Sequence, residues 1–294
     1  LFILKKKNNA LILFTIFIVL FSLFENKANS FIPEPYEPNK KELEAEGKEL
    51  GRSVEQLLYF RQYKQANKLA ELAIKLNPSE DKLWAILAKT EIRLNKLKKA
   101  RQSLTIAKNL NPIEASYWFQ EALIDFEEKE LKDSIKNLEK GLLLDPNNPA
   151  ALFQLGNSRL LQKEYDKALI AFEKASIIKP NFWQSINNQA LVLYELNKEN
   201  KAIKLWEKVL IINKDAEPML ALAAANYSTN NNKNESISLA KNALFKNPNY
   251  VYIQHQEEQL WGKRLQKATQ ILFKDPELKS SIEKAKANAN IKSN

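Results

Sequence analysis

The sequence has no cysteine, a single histidine and few glycines. Among its 294 residues there are no cysteines, one histidine and five glycines. Without cysteine there is no disulfide, no thiolate nucleophile and no cysteine-based zinc site. The glycine spacings fit neither common glycine-rich phosphate loop, so nucleotide binding of that kind has no support.

Catalytic chemistry finds little support either. The histidine, His255, lies beside Glu257 and Glu258 in a predicted helix, where a packed or solvated side chain is the usual interpretation. Adjacent acidic residues on a helix point about 100° apart, so such pairs do not converge on one substrate. We expect a non-catalytic protein with no cofactor and no metal. The opposing hypothesis is a hydrolase or transferase that uses the helices as a substrate platform and depends on His255.

The positive charge is spread out. The net charge is +10, and lysines are scattered through turns and outer faces, as in "LNKLKKA" at 94–100. Nucleic-acid binding requires basic side chains clustered on one stripe. We therefore expect a solvated surface and no nucleic acid. Attraction to an anionic membrane face or an acidic protein is the alternative.

Prolines recur at a constant spacing. Pro78, Pro112, Pro146 and Pro180 are 34 residues apart, and Pro248 follows two periods later. Proline lacks an N–H and restricts the residue before it, so each one ends a helix. The register predicts six units, at 47–80, 81–114, 115–148, 149–182, 183–216 and 217–250.

Small residues recur inside the units. Positions 8 and 20 of each unit are small, because two helices of one unit cross there and bulk would overpack the contact. Position 4 is large and apolar. Position 8 is occupied by Val54, Ala88, Ala122, Gly156, Ala190 and Ala224, and position 20 by Ala66, Ala100, Ser134, Ala168, Ala202 and Ser236.

The period and this pattern resemble the tetratricopeptide repeat (TPR) family. The resemblance covers 47–250 and is clearest in unit four, with Gly156, Ala168, Phe172 and Pro180 on the family pattern. It implies an all-α TPR solenoid, a right-handed superhelix of about six helix-turn-helix repeats whose helices A line a concave groove. Unit three departs from the pattern, with Glu121 and Asp125 at positions that are usually apolar or aromatic, and unit five has Lys214 in place of proline.

Both ends of the chain differ from the repeats. Residues 1–30 carry lysines before a 15-residue apolar run and small residues up to Ser30, which predicts a signal peptide or an N-terminal membrane anchor. Either places the repeats on the extracytoplasmic side of a membrane, in a periplasm or a thylakoid lumen. Residues 31–40 predict a proline-rich linker before a TPR array over 41–250. At 251–273 the pattern predicts one long amphipathic helix, the first of the capping helices over 251–290.

The resemblance also implies a partner-binding groove, because helix-A positions 2, 5, 9 and 12 of the family point into it. The candidate groove residues, taken from these positions in units two to five, are Lys82, Lys89, Phe119, Leu123, Phe126, Phe153, Asn157, Asn187, Leu191 and Tyr194. Phe119 and Phe153 would stand side by side and, with the asparagines, suit an extended peptide or a partner helix. The alternative is that these rings pack between units. The carboxylate-clamp residues of chaperone-binding members are not found at the required positions.

The sequence therefore predicts a non-catalytic scaffold or adaptor that binds a protein partner, with membrane association through its N-terminus. An assembly factor for a membrane protein complex, a photosynthetic complex among them, is a hypothesis by fold analogy. A self-associating structural protein of the cell envelope is the alternative. The sequence does not fix the oligomeric state.

Overall fold

The computed structural model describes residues 36–290. The predicted signal peptide or anchor at 1–30 and the first half of the linker lie outside these residues. Residues 36–39 adopt no helix or strand, and the remainder is all-helical, with fifteen α-helices and no β-strand between 36 and 290. In that range, no helix is both long and apolar enough to cross a membrane.

The first twelve helices alternate as helix A and helix B of units one to six. They are α1 Lys40–Tyr59, α2 Tyr63–Leu76, α3 Asp81–Arg93, α4 Leu97–Leu110, α5 Ala115–Glu127, α6 Leu131–Leu144, α7 Pro149–Leu161, α8 Tyr165–Ile178, α9 Trp183–Glu195, α10 Glu199–Ile212, α11 Ala216–Ser228 and α12 Lys233–Lys246. Helix α1 begins seven residues before the predicted first unit. After α12 come α13 Ile253–Glu258, α14 Lys263–Leu272 and α15 Lys279–Asn288, with short 3₁₀ helices at Pro248–Val251 and Pro276–Leu278.

The two helices of each unit cross at the small residues. All residues at positions 8 and 20 are buried. In unit four, the ring of Phe172 fills the space over Gly156, so a methyl group on that glycine would overlap it. In unit three the ring of Phe119 lies over Gly141 in the same way. The periodic small positions therefore set how closely helix A and helix B approach.

Helix A ends by the same device in five units. The residue at position 15 has a left-handed backbone, with φ between 57° and 65°. A left-handed residue after a helix satisfies the last backbone carbonyls and turns the chain. The five residues are Arg61, Asn95, Lys129, Lys163 and Asn197.

The acidic departures in unit three are paired with cations from unit two. Glu121 and Asp125 of α5 are buried, and Arg101 of α4 donates hydrogen bonds to both. Lys108 lies 2.8 Å from Glu121, and the Asn137 amide donates to Asp125 at 2.7 Å. Burial still raises the pKa of Asp125. An ion-pair network therefore joins α4, α5 and α6 where the family pattern has an apolar contact.

The prediction of one long helix over 251–273 is wrong. The chain breaks between α13 and α14, where Leu260 takes a left-handed φ of 65° and Gly262 is extended. This break buries Trp261 against Tyr250, with 5.6 Å between ring centroids. Leu260, Trp261 and Leu265 share one face of an ideal helix, so periodicity alone could not reveal the break.

Candidate partner-binding groove

The candidate groove is the helix-A face, which we define as positions 2, 5, 9 and 12 of the odd-numbered helices α1 to α11. The structure divides this face into two parts. Helix α14 packs against α9 and α11 and covers the face of units five and six. The face of α3 and α5 lies open.

Several contacts hold the C-terminal segment, residues 251–290, on the covered part. The Arg264 guanidinium lies 5.2 Å from the ring centroid of Tyr194 and donates hydrogen bonds to Glu199 and to the Tyr194 carbonyl oxygen. The backbone N–H groups of Arg264 and Leu265 donate to the Glu195 carboxylate at 3.3 and 3.2 Å. The chain's own C-terminal segment therefore lies where the sequence places a partner.

All three predicted groove residues of unit five are consequently buried. Asn187, Leu191 and Tyr194 are exposed by only 1–3%. The Tyr194 hydroxyl lies 2.9 Å from the hydroxyl of Ser228. The interior polar groups of units five and six bind one another and leave these three side chains little surface to offer.

The asparagines engage other side chains of the fold. Asn187 donates to Glu217 at 3.0 Å and accepts a hydrogen bond from Trp206 at 3.0 Å. Asn188 donates to Asn157 at 2.8 Å. These amides link units four, five and six, which is a different role from binding a peptide backbone.

Glu217 connects the covered part to the C-terminal segment. Its Oε1 accepts hydrogen bonds from Asn187 and, at 3.3 Å, from the indole N–H of Trp261. Burial raises the pKa of Glu217 to about 7, and the nearby Asp215 adds to this effect. A negative charge on the Glu217 carboxyl therefore disfavours the packing of Trp261 and α14 against α11.

The open part holds two adjoining depressions that share Lys89, Ser116 and Gln120. The first has a volume of about 410 Å³ and the second about 380 Å³. The first is lined further by Glu55, Lys82, Ala85, Ile86, Glu114 and Tyr117, and the second by Ile92, Arg93, Phe119, Leu123, Leu138, Asn148, Ala150, Ala151 and Gln154. Four predicted residues, Lys82, Lys89, Phe119 and Leu123, thus line one continuous surface.

The predicted phenylalanines are half-buried. Phe119 rests on Gly141 and lines the second depression. Phe153 packs against Phe172 and Phe182, with centroid distances of 5.7 and 5.0 Å. With Phe126 and Asn157 it lines a third depression of about 350 Å³, which Leu260 of the C-terminal segment also reaches. Each ring supports the fold on one side, and Phe119 and Phe153 line separate depressions.

The open part is basic along α3 and apolar along α5, and Glu55 and Glu114 also line its first depression. Lys82, Lys89 and Arg93 are exposed along α3, while Phe119 and Leu123 supply apolar surface on α5. Sequence reasoning missed Arg93 and Gln120, since it followed only four positions of helix A. Positions 6 and 13 of the same register would have found them.

His255 is a packed residue. Its ring meets the Tyr250 ring edge-on at 4.6 Å between centroids, and its two nitrogens lie 3.5 Å from Glu258 and 3.3 Å from Asn247. Between residues 36 and 290, no group of three or more histidine, aspartate or glutamate side chains could hold a metal ion.

Comparison with known proteins agrees with this architecture. The family model described as tetratricopeptide repeat matches residues 149–182, which are unit four. Among solved structures, pilF of Pseudomonas aeruginosa is 17% identical with a TM-score of 0.60, over 78% of this chain and 97% of that one. PilW, described as a type IV pilus biogenesis factor, is 16% identical with a TM-score of 0.59, over 75% and 97%.

The Cut9–Hcn1 hetero-tetramer of the APC/C is 15% identical with a TM-score of 0.61, over 78% of this chain and 46% of that one. At these identities the likeness shows the fold alone. No curated protein matches the sequence.

Proposed function

Because the chain is a tetratricopeptide repeat protein, we propose that it is a non-catalytic scaffold that binds an extended segment of a partner protein on the open part of the helix-A face. The observation that carries this proposal is the pair of adjoining depressions between α3 and α5, which the C-terminal segment leaves uncovered. Two depressions that share three lining residues suit a short segment of extended chain better than a compact small molecule.

The lining specifies the chemistry of that segment. Lys82, Lys89 and Arg93 favour acidic side chains along α3, since opposite charges raise both the association rate and the selectivity. Phe119 and Leu123 offer apolar area for an anchoring side chain along α5. The Gln120 amide lines both depressions and can bond the backbone of an extended peptide.

The predicted N-terminal signal or anchor supports a location on the extracytoplasmic side of a membrane, in a periplasm or a thylakoid lumen. There the scaffold would act as an assembly factor for a membrane protein complex, a photosynthetic complex being one hypothesis by fold analogy. Pilus biogenesis is the description of PilW and is not carried over to this chain. A self-associating envelope protein is the alternative.

Selection from a random peptide library tests the proposal. The bait is the chain from residue 36 onward, which holds the whole compact unit of residues 41–294. We expect selected peptides to combine acidic and apolar residues. Lys89→Glu should weaken their binding about tenfold, a loss of roughly 1.4 kcal/mol.

Lys98→Glu is the matched control, because it makes the same charge change on an exposed residue of helix B in the same unit. It should leave the affinity unchanged. Peptides that bind both variants as well as the wild type would place the binding surface elsewhere, and equal losses in both would indicate only a general charge effect.

A further inference from the structure

Four large apolar side chains recur on the outer helices at the repeat period. Position 29 is apolar in units three to six, and these residues are exposed by 77–90%. In units one and two the same position holds Lys75 and Asn109. The four residues, which we call the apolar row, are Leu143, Ile177, Ile211 and Phe245.

The row lies on helix B, away from the helix-A face. Each member stands near the C-terminal end of α6, α8, α10 or α12. A monomeric soluble protein exposes single, scattered apolar residues freely, so an ordered series of large ones requires a separate explanation. The repeat period makes this a series, because the same helix position is exposed in four successive units.

Lysines accompany the row. Residues three and seven positions before a row member share its helix face. At three positions before the row, units three to five carry Lys140, Lys174 and Lys208, all exposed. At seven positions before it, units three and five carry Lys136 and Lys204. In unit four that place is taken by Ile170, which is itself exposed.

Acidic residues are fewer at this surface. Glu139, Glu173 and Glu207 lie four positions before the row, and Asp145 lies two positions after Leu143. Glu139 is paired at 2.6 Å with Arg159 of the next unit. Lys179, Lys214 and Lys246 follow the row members and add further positive charge near the helix ends. The surroundings of the row are therefore net positive.

We propose that the apolar row binds the surface of an anionic lipid membrane, with its side chains in the headgroup and acyl boundary and its lysines against the phosphates. Apolar side chains with basic neighbours are the combination that binds such surfaces. Lysine can keep its ammonium at the headgroups while its stem lies along the apolar layer.

The charge also argues against a second copy of this chain as the occupant. Two copies joined row to row would bring net positive surroundings together, which disfavours association. A protein partner would need separate sockets at the repeat spacing, because charged residues separate the row members. A fluid lipid surface accepts each side chain separately. A membrane anchor at residues 1–30, one of the two predictions for that segment, would independently hold the chain at a membrane, whereas a cleaved signal peptide would not.

Vesicle co-sedimentation tests this inference. The protein is the chain from residue 36 onward, so the apolar run of residues 10–24 cannot contribute. The probes are vesicles of phosphatidylcholine with phosphatidylglycerol and vesicles of phosphatidylcholine alone. We expect binding to the anionic vesicles that weakens at raised salt. Ile177→Ser/Ile211→Ser should reduce the partition coefficient about tenfold.

Tyr59→Ser/Phe60→Ser is the matched control, because it removes two comparably exposed apolar residues from the end of α1 and the turn that follows it. It should bind as the wild type does, and circular dichroism should show both variants folded. Absence of wild-type binding, equal binding to neutral vesicles, or equal losses in the two double variants would each overturn the proposal. A dimer in lipid-free sedimentation that only Ile177→Ser/Ile211→Ser abolishes would overturn it in favour of a second copy.

Discussion

At the residue scale, the turn that ends helix A is a local test of the repeat architecture. Lys163 has a φ of 60°, a backbone region that costs a non-glycine residue roughly 1–2 kcal/mol. Glycine removes this cost. It also makes the unfolded chain more flexible, so more conformational entropy is lost on folding. We therefore expect Lys163→Gly to raise the free energy of unfolding by about 0.5 to 1 kcal/mol, measured by urea denaturation.

The control is Lys174→Gly, an exposed site in the interior of α8. There glycine should lower the free energy of unfolding by about 1 kcal/mol, because a helical backbone conformation does not need the conformational freedom of glycine. If both substitutions destabilise the protein alike, the left-handed turn is not the device that ends these helices.

The residue scale also shows what the sequence could and could not predict. Ala100, Ala122 and Ala168 were predicted to be close-packing positions from period alone, and they are fully buried. Steric contact at a helix crossing acts within one unit, so the pattern of small residues can be recognised from the sequence of that unit. The burial of Asn187 and Tyr194 depends on a segment about 70 residues further along the chain. An example is the hydrogen bond that Arg264 donates to the Tyr194 carbonyl oxygen. One sequence without an alignment carries no signal for such a contact.

At the element scale, helix α14 and its preceding turn are the main departure from a simple stack of repeats. They cover the helix-A face of units five and six and bring Trp261 to Glu217. The folded pKa of Glu217 is about 7, above the ordinary value of 4.5. Below pH 4.5 the carboxyl is protonated in both states and costs nothing. Between pH 4.5 and about 7 the carboxyl ionises in the unfolded state before it ionises in the folded state, so the free energy of unfolding falls over this interval and changes no further above it.

Glu217→Gln should remove this loss. Glutamine keeps an oxygen acceptor for Asn187 and Trp261 but carries no charge. We expect the variant to exceed the wild type by about 1 to 3 kcal/mol at pH 8 and to differ little at pH 4, measured by urea denaturation at both values.

The exposed Glu207→Gln provides the control, since it removes the same charge from the surface of α10. A Glu217→Gln variant less stable than the wild type at pH 8 would mean that the ionised carboxylate holds α14 in place, contrary to this account.

At the scale of the whole molecule, the repeats divide their surfaces between separate tasks. The helix-A face of α3 and α5 is open, that of α9 and α11 is covered by the C-terminal segment, and the outer helices carry the apolar row. The fold class and six repeats could be predicted from the 34-residue period. The division of the groove could not, because the covering segment lies outside the repeat pattern.

Site-specific photocrosslinking in cells that make the full chain tests the central claim most directly. A benzophenone amino acid would replace Lys89 on the open helix-A face or, as the matched position, Lys98 on helix B of the same unit. The account predicts a protein adduct from position 89 and none from position 98. An adduct from position 98, with none from position 89, would contradict it and place the partner on the outer helices.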